Sequence, residues 1–290
     1  MYHIIDNCAY VTMTIKVVIS DWDETITAKD TLSLVGQAAY HAKPSFEPSW
    51  QYFTDQYIND YNKFVSSRTD KKNRTTLDQE ARYLSDLREV ELRSVARVET
   101  SNLFQGVPLD EVRAQSKSVA IRDGFWEALQ NLLDQGITFI VVSVNWSQAF
   151  IEQVFIDHGY RPDQLKIYAN EIETDDKGIG TGLLGGGHNL RTAADKLKLV
   201  KSIKKKFSGE SVEDTGSIGS KNDQNGSSVS SSSIMFLGDS STDLLAILEA
   251  DIGVVVVKES LLLEFDRLGL RDDVKYIKHW SELQHLLDNQ

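Results

Sequence analysis

Ile15-Lys-Val-Val-Ile-Ser-Asp-Trp-Asp-Glu-Thr25 is the stretch whose reading decides the fold, because an apolar β-branched run passes without a break into an acidic turn. Three more runs share its character: Ile137 to Val142, Ile234 to Leu237 and Ile252 to Val257. Near-continuous Val/Ile runs predict strands buried on both faces, as in a parallel sheet covered by helices. Helical patterns flank them at Phe125 to Gln135, Ser147 to His158, Ala193 to Phe207 and Thr242 to Glu249. Alternation of this kind predicts a doubly wound α/β domain. In open sheets of that class ligands bind beyond the carboxyl ends of the strands, which is where Asp21 and Asp23 fall.

The rest of the chain bounds what such a domain does. There are 290 residues, 31 Lys+Arg against 43 Asp+Glu, and a formal net charge of -12, which argues against a protein that coats nucleic acid or an anionic membrane. With 41% hydrophobic and 26% charged residues, the composition supports a substantial core and excludes a disordered or fibrous chain. Cys8 is the only cysteine, so an internal disulfide or a Cys-based zinc site is excluded and a reducing compartment is expected. Met1 to Lys16 has neither the basic start nor the apolar stretch of a signal peptide, and no apolar run is long enough to span a membrane. The expected location is cytoplasmic, with the residues before Met13 read as a dispensable tail or an unused upstream start.

More than a hundred residues separate the first two strand runs. The stretch from about Thr31 to Ala120 has helical patterns, among them the aromatic-rich Phe46 to Phe64 and a Glu/Arg/Leu/Ala run from Thr76 to Val98. The expected organisation is a discontinuous core, 1–30 and 121–290, with a helical domain inserted over 31–120. Ser208 to Ser233 is rich in Ser, Gly, Asn and Asp and is read as a flexible surface loop. The aromatics of Trp50 to Phe64 fall at helical spacing and read chiefly as the core of the insertion, with one or two facing a substrate.

Asp21 and Asp23, two residues apart, suit a division of labour in which one carboxylate attacks an electrophile and ligates a metal while the other moves a proton. Alone, D-x-D-x-T is expected by chance in about one chain of this length in twenty and reads equally as an acidic turn. Gly238-Asp239-Ser-Ser-Thr-Asp243 repeats the arrangement after the third apolar run, where Asp239 or Ser240 alone would read as a helix cap. Two acidic loops at adjacent strand ends could hold a hard divalent cation such as Mg²⁺. Ser143, past the second run, offers a hydroxyl, and the amides of Val144 and Asn145 are candidates for binding an anion.

These residues resemble the four ordered motifs of haloacid dehalogenase superfamily phosphatases. Asp21 to Thr25 is similar to the first, Ser143 to the second, Lys196 in Thr192-Ala-Ala-Asp-Lys196 to the third, and Gly238 to Asp243 to the fourth. The long insertion looks like the helical cap of the phosphoserine phosphatase-like branch, and Ala169-Asn-Glu-Ile with Gly178 and Thr181-Gly182 looks like its hairpin. The resemblance implies a Rossmann-like core with an inserted cap, and a Mg²⁺-dependent phosphatase acting on a small phosphorylated metabolite. It makes Asp21 the nucleophile and Asp23 the general acid/base, with Mg²⁺ on Asp21, the Asp23 carbonyl and Asp239. Asp243 would support the metal's waters or Lys196, and Lys196 and Ser143 would hold the phosphoryl group. Asp30 stands where that branch carries a substrate-contacting glutamate. It would bind a substrate amine or hydroxyl, or cap the first helix of the insertion.

Other signals are weaker. Gly180-Thr-Gly-Leu-Leu-Gly185 fits a dinucleotide fingerprint but lacks its strand-to-helix setting and is read as a hairpin and loop. No histidine pair has zinc-hydrolase spacing. A phosphotransferase or mutase, and a catalytically silent binding or regulatory protein on the same fold, are the alternatives.

Overall fold

The computed structural model describes residues 14–207 and 232–289. Cys8, Met13 and residues 208–231 of the expected surface loop lie outside the described residues.

Among the described residues eight strands form: β1 (Thr14–Ser20), β2 (Thr138–Val142), β3 (Lys166–Tyr168), β4 (Asn170–Glu171), β5 (Gly186–Gly187), β6 (Ser232–Gly238), β7 (Ile252–Val256) and β8 (Val274–Ile277). Six make one parallel sheet in the order β3-β2-β1-β6-β7-β8, while β4 and β5 pair antiparallel. The four apolar runs are the four central strands, and Ser232 and Ser233 already belong to β6. Sequence reading missed β3 and β8 because Lys166-Ile-Tyr and Val274-Lys-Tyr-Ile are short edge strands with mixed faces, without a continuous apolar run.

Both faces of the sheet are buried, as the Val/Ile runs require. Val18, Phe139, Val141 and Met235 face one apolar cluster, while Val17, Ile19, Ile140 and Phe236 face another. The helices are α1 (Leu32–Ala42), α2 (Trp50–Ser66), α3 (Leu77–Asp86), α4 (Arg88–Thr100), α5 (Leu109–Ala114), α6 (Phe125–Asp134), α7 (Gln148–Asp157), α8 (Ala193–Phe207), α9 (Leu244–Glu249), α10 (Glu259–Leu268) and α11 (Leu283–Asp288). Residues of α6 and α7 supply the first cluster, and residues of α8, α9 and α10 the second. Among the described residues no helix is long and apolar enough to cross a membrane.

Helices α1 to α5 all lie between β1 and β2, forming the inserted helical region. The run from Thr76 to Val98 divides at Leu87 into α3, opened by a Thr76/Gln79 capping box, and α4. The chain leaves and returns side by side: Ala28 N donates to Ala120 O (2.8 Å) and Arg122 N to Ile26 O (2.9 Å). Ion pairs then hold the insertion against the core. Arg88 of α4 meets Asp195 at 2.8 Å, and Arg267 of α10 meets the buried Glu80 of α3 at 2.8 Å.

Candidate active site

Register brings the motif residues together. Ser20 lies opposite Val141 of β2 and Leu237 of β6, so Asp21, Ser143 and Asp239 emerge at one carboxyl edge. The strand order reverses between β1 and β6, the switch point at which open α/β sheets bind ligands.

Carboxylate oxygens of Asp21, Asp239 and Asp243, all three residues buried, lie within 4.8 Å of one another. Lys196, 0% exposed, closes the cluster from α8, its Nζ 2.7 Å from Asp21 Oδ1 and 2.7 Å from Asp243 Oδ1. That contact separates Lys196 from the other lysines of α8, a distinction no local pattern makes. Asp243 Oδ2 accepts from the amides of Asp239 (3.2 Å) and Ser240 (3.1 Å) and from Ser240 Oγ (3.0 Å), so one carboxylate both shapes the loop and anchors the lysine.

Burial, then repulsion from Asp243, holds Asp21 well above the ordinary aspartate range, with Lys196 opposing. Asp239 is raised by burial and Asp243, opposed by Lys258 and Thr25. Lys196 is itself pulled down by burial but raised on balance by its two carboxylate partners. Negative charge thus exceeds what the nearby ammonium groups balance. Three convergent carboxylates, an all-oxygen donor set, fit a hard divalent cation.

Asp23, read from sequence as a metal ligand through its backbone carbonyl, directs its carboxyl away from the cluster. Its Oδ1 accepts from Thr31 N (2.7 Å) and Thr31 Oγ1 (2.6 Å), and its Oδ2 from Asn145 Nδ2 (3.1 Å). Burial and the nearby Asp30 raise its pKa to about 6 against the pull of these donors. Two carboxylates two residues apart therefore have different surroundings, the condition for different chemical roles.

Ser143 is fully buried, and its Oγ accepts from Asn145 N at 3.0 Å. The Asn145 amide offered to an anion by the sequence reading is thus engaged by a local i to i+2 bond, while its side chain serves Asp23 and Thr31. Val144 lines a neighbouring cavity. Asp30 Oδ1 accepts from Leu32 N (3.0 Å), but the N-cap position of α1 is Thr31 rather than Asp30, one residue later than the sequence reading placed it; Asp30 also lines that cavity.

Sequence reading gave no role to Thr25, Thr31, Arg122 or Lys258. Thr25 Oγ1 donates to Asp239 Oδ1 (2.8 Å), linking the two acidic loops. Arg122 holds Glu24 O through Nε (3.0 Å) and Nη2 (2.7 Å), fixing a turn in which Glu24 has φ 58°. Lys258 Nζ lies 2.8 Å from Asp239 Oδ2 and 2.6 Å from Glu24 Oε2. Lys258 follows the fourth apolar run as Asp21, Ser143 and Asp239 follow the first three, so applying the strand-end rule to every run would have found it.

Gly238 sets how tightly the loop closes. A Cβ there would lie 2.5 Å from Asp243 Cβ and 2.6 Å from its Cγ. Gly238→Ala is expected to displace Asp243 and with it Lys196, destabilising the fold by about 1–3 kcal/mol. A thermal melt of the variant reads this, and an unchanged transition would show that the loop yields freely.

The cavity, about 500 Å³, lies between the helical insertion and the carboxyl edge of the sheet. Thr242 and Val144, neighbours of Asp243 and Ser143, form part of its floor, and α2 presents Trp50, Phe53 and Tyr57 to it along one face. Trp50 can lie against α1 because position 36 is glycine, where a Cβ would fall 2.2 Å from the indole.

The chain is 28% identical over 255 residues to Cold tolerance protein 1 of Saccharomyces cerevisiae, an alignment covering 80% of this chain and 75% of the yeast protein. It is 26% identical over 287 residues to the Bifunctional TH2 protein, mitochondrial, of Arabidopsis thaliana, covering 91% of this chain and 43% of that protein, so it spans less than half of the Arabidopsis relative. Among solved structures, a substrate-bound phosphoserine phosphatase complex superposes with a TM-score of 0.53 at 15% identity, covering 95% of this chain and 99% of that one; this likeness is one of fold. A model of the haloacid dehalogenase-like hydrolases matches residues 18–247, carrying Asp21, Ser143, Lys196, Asp239 and Asp243 in order on their strand and helix ends, and the chain belongs to that family.

Proposed function

We propose that the protein is a Mg²⁺-dependent phosphatase that hydrolyses a small phosphomonoester through an aspartyl-phosphate on Asp21, with residues 31–120 acting as a cap over a core of 1–30 and 121–290. The observation that carries this reading is the buried Asp21/Asp239/Asp243 cluster closed by Lys196. A cluster so rich in negative charge admits a phosphate dianion only with cationic help. Mg²⁺ held by Asp21, Asp239 and the Asp23 carbonyl, with Asp243 behind them, would supply that neutralisation.

An Asp21 carboxylate oxygen attacks phosphorus in line, the bond from phosphorus to the ester oxygen breaks, and the protonated Asp23 gives its proton to the leaving alcohol. Asp23, now a carboxylate, takes a proton from water as that water attacks the phosphoryl group, freeing inorganic phosphate and restoring Asp21. A pKa of about 6 makes both states of Asp23 accessible near neutrality. Thr31 and Asn145 orient Asp23, while Lys196 and the Ser143 hydroxyl hold phosphoryl oxygens. The inserted helices exclude water from the cavity when substrate is bound.

The test is phosphate release from 4-nitrophenyl phosphate and a panel of metabolite phosphates. Hydrolysis is expected with Mg²⁺, to vanish with EDTA and to return on adding excess Mg²⁺. Equal inactivity of the wild type in every condition would favour a silent binding protein. The site of action is expected to be cytoplasmic, in keeping with a single cysteine, although the name of the Arabidopsis relative places that protein in mitochondria.

A further inference from the structure

Among the described residues, the cation that lines the cavity is Arg191, and it has no part in the mechanism above. Arg191, 6% exposed, precedes α8, and its Nη2 donates to Leu184 O at 2.6 Å. Its Nη1 is buried and has no hydrogen-bond partner among the described residues. The acids around it are engaged elsewhere. Asp195 is paired with Arg88, Glu99 accepts from Leu184 N (2.9 Å), and Glu91 accepts from Tyr57 Oη (2.8 Å). A buried guanidinium N–H without an acceptor costs free energy until an acceptor reaches it.

Arg191 shares the cavity wall with Trp50, Phe53 and Trp146, and with the Tyr57–Glu91 pair. Trp50 and Trp146 meet edge to face with ring centroids 6.1 Å apart, giving a firm apolar wall. A small zwitterionic ester would leave that wall uncovered, whereas a flat ring would cover it and place its far edge at the guanidinium.

We propose that Arg191 is a specificity-determining residue whose guanidinium, lining the cavity, turns on binding to bring the unpartnered Nη1 to a neutral oxygen or nitrogen acceptor on the far edge of an aromatic group carried by the substrate's leaving alcohol. This rests on the phosphatase reading and adds the substrate class to it. Two acids line the same space, Asp30 and Glu91, so a carbonyl or ring nitrogen is favoured over a carboxylate.

Phenyl phosphate is compared with its 3- and 4-carbamoyl and 3- and 4-carboxyl derivatives, using wild type, Arg191→Met and Arg191→Lys, with kcat/KM measured in Mg²⁺. The intrinsic leaving-group difference cancels between variants. The wild-type preference for at least one carbamoyl ester over phenyl phosphate is expected to fall about tenfold in Arg191→Met and to be partly kept in Arg191→Lys. Binding of 4-hydroxybenzamide and of phenol to the wild type, followed by tryptophan fluorescence, needs neither turnover nor a variant, and the amide is expected to bind about tenfold more tightly. Hydrolysis of phenyl phosphate with an Arg191-independent preference overturns the inference and leaves the phosphatase reading standing. Amide-selective binding without hydrolysis of any ester does the reverse. Should Arg191→Met fail to melt cooperatively, Arg191→Lys and the wild-type binding comparison decide.

Discussion

Asp21→Asn is expected to reduce Mg²⁺-dependent phosphate release by at least about a thousandfold while leaving the fold intact. Loss of a nucleophile removes the covalent route altogether, and what remains is the contribution of binding and electrostatics. The substitution keeps the shape of the side chain and a carbonyl oxygen toward Lys196, so the buried ammonium retains Asp243 and an acceptor. Stability should not suffer. Burial and Asp243 raise the pKa of Asp21, so between the ordinary aspartate value of 3.8 and that raised value the folded state binds more protons than the unfolded one. Ionised Asp21 therefore costs the metal-free protein stability above that window, and Asn removes the cost. The melting temperature in EDTA near neutral pH is expected to equal or exceed that of the wild type. Activity within tenfold of wild type would rule out Asp21 as the nucleophile.

Lys196→Met should abolish activity and also damage the fold. The ammonium contacts both Asp21 and Asp243, and removing it strips these two buried carboxylates of their shared cationic partner while Asp239 still stands beside them. Stripping one partner from a buried charge pair costs about 3–5 kcal/mol. Because its partners raise the folded-state pKa of Lys196, its stabilisation is complete below the unfolded value of about 10.4. The deficit therefore covers the whole neutral range. It should also grow as pH rises, since Asp21 and Asp239 already hold their protons more tightly when folded and would do so more tightly still without the lysine. Urea unfolding in EDTA at pH 5.5 and pH 8 measures both effects. A deficit under 1 kcal/mol at either pH would mean that the cluster is neutral without Lys196.

The difference between these variants shows what was legible in the chain. Asp21, Ser143 and Asp239 announce themselves because each stands within two residues of the end of an apolar strand run, and the strand fixes the edge at which they emerge. Lys196 does not, since α8 carries several lysines and only the tertiary packing selects the buried one. Thr25 stands inside the first motif, yet its bond to Asp239 spans 214 positions and has no local trace. Val274-Lys-Tyr-Ile became a strand because β7 presented an edge to pair with, not because of its own pattern. The Asn145 amide looked free from sequence because an i to i+2 turn leaves no mark on composition.

The paired neck of the helical insertion has a bearing on how such a chain can change over time. With Ala28 bonded to Ala120 and Ile26 to Arg122, the two ends of the insertion are held at about the 4.8 Å spacing of neighbouring strands, whatever lies between them. Loop-closure entropy grows only logarithmically with length, so lengthening the insertion adds only about 0.6 kcal/mol per doubling, and the larger cost of changing its helices falls on the faces that pack or pair with the core. The outward faces of the inserted helices can therefore change length and sequence while the neck keeps the strand ends that carry the acidic cluster in register.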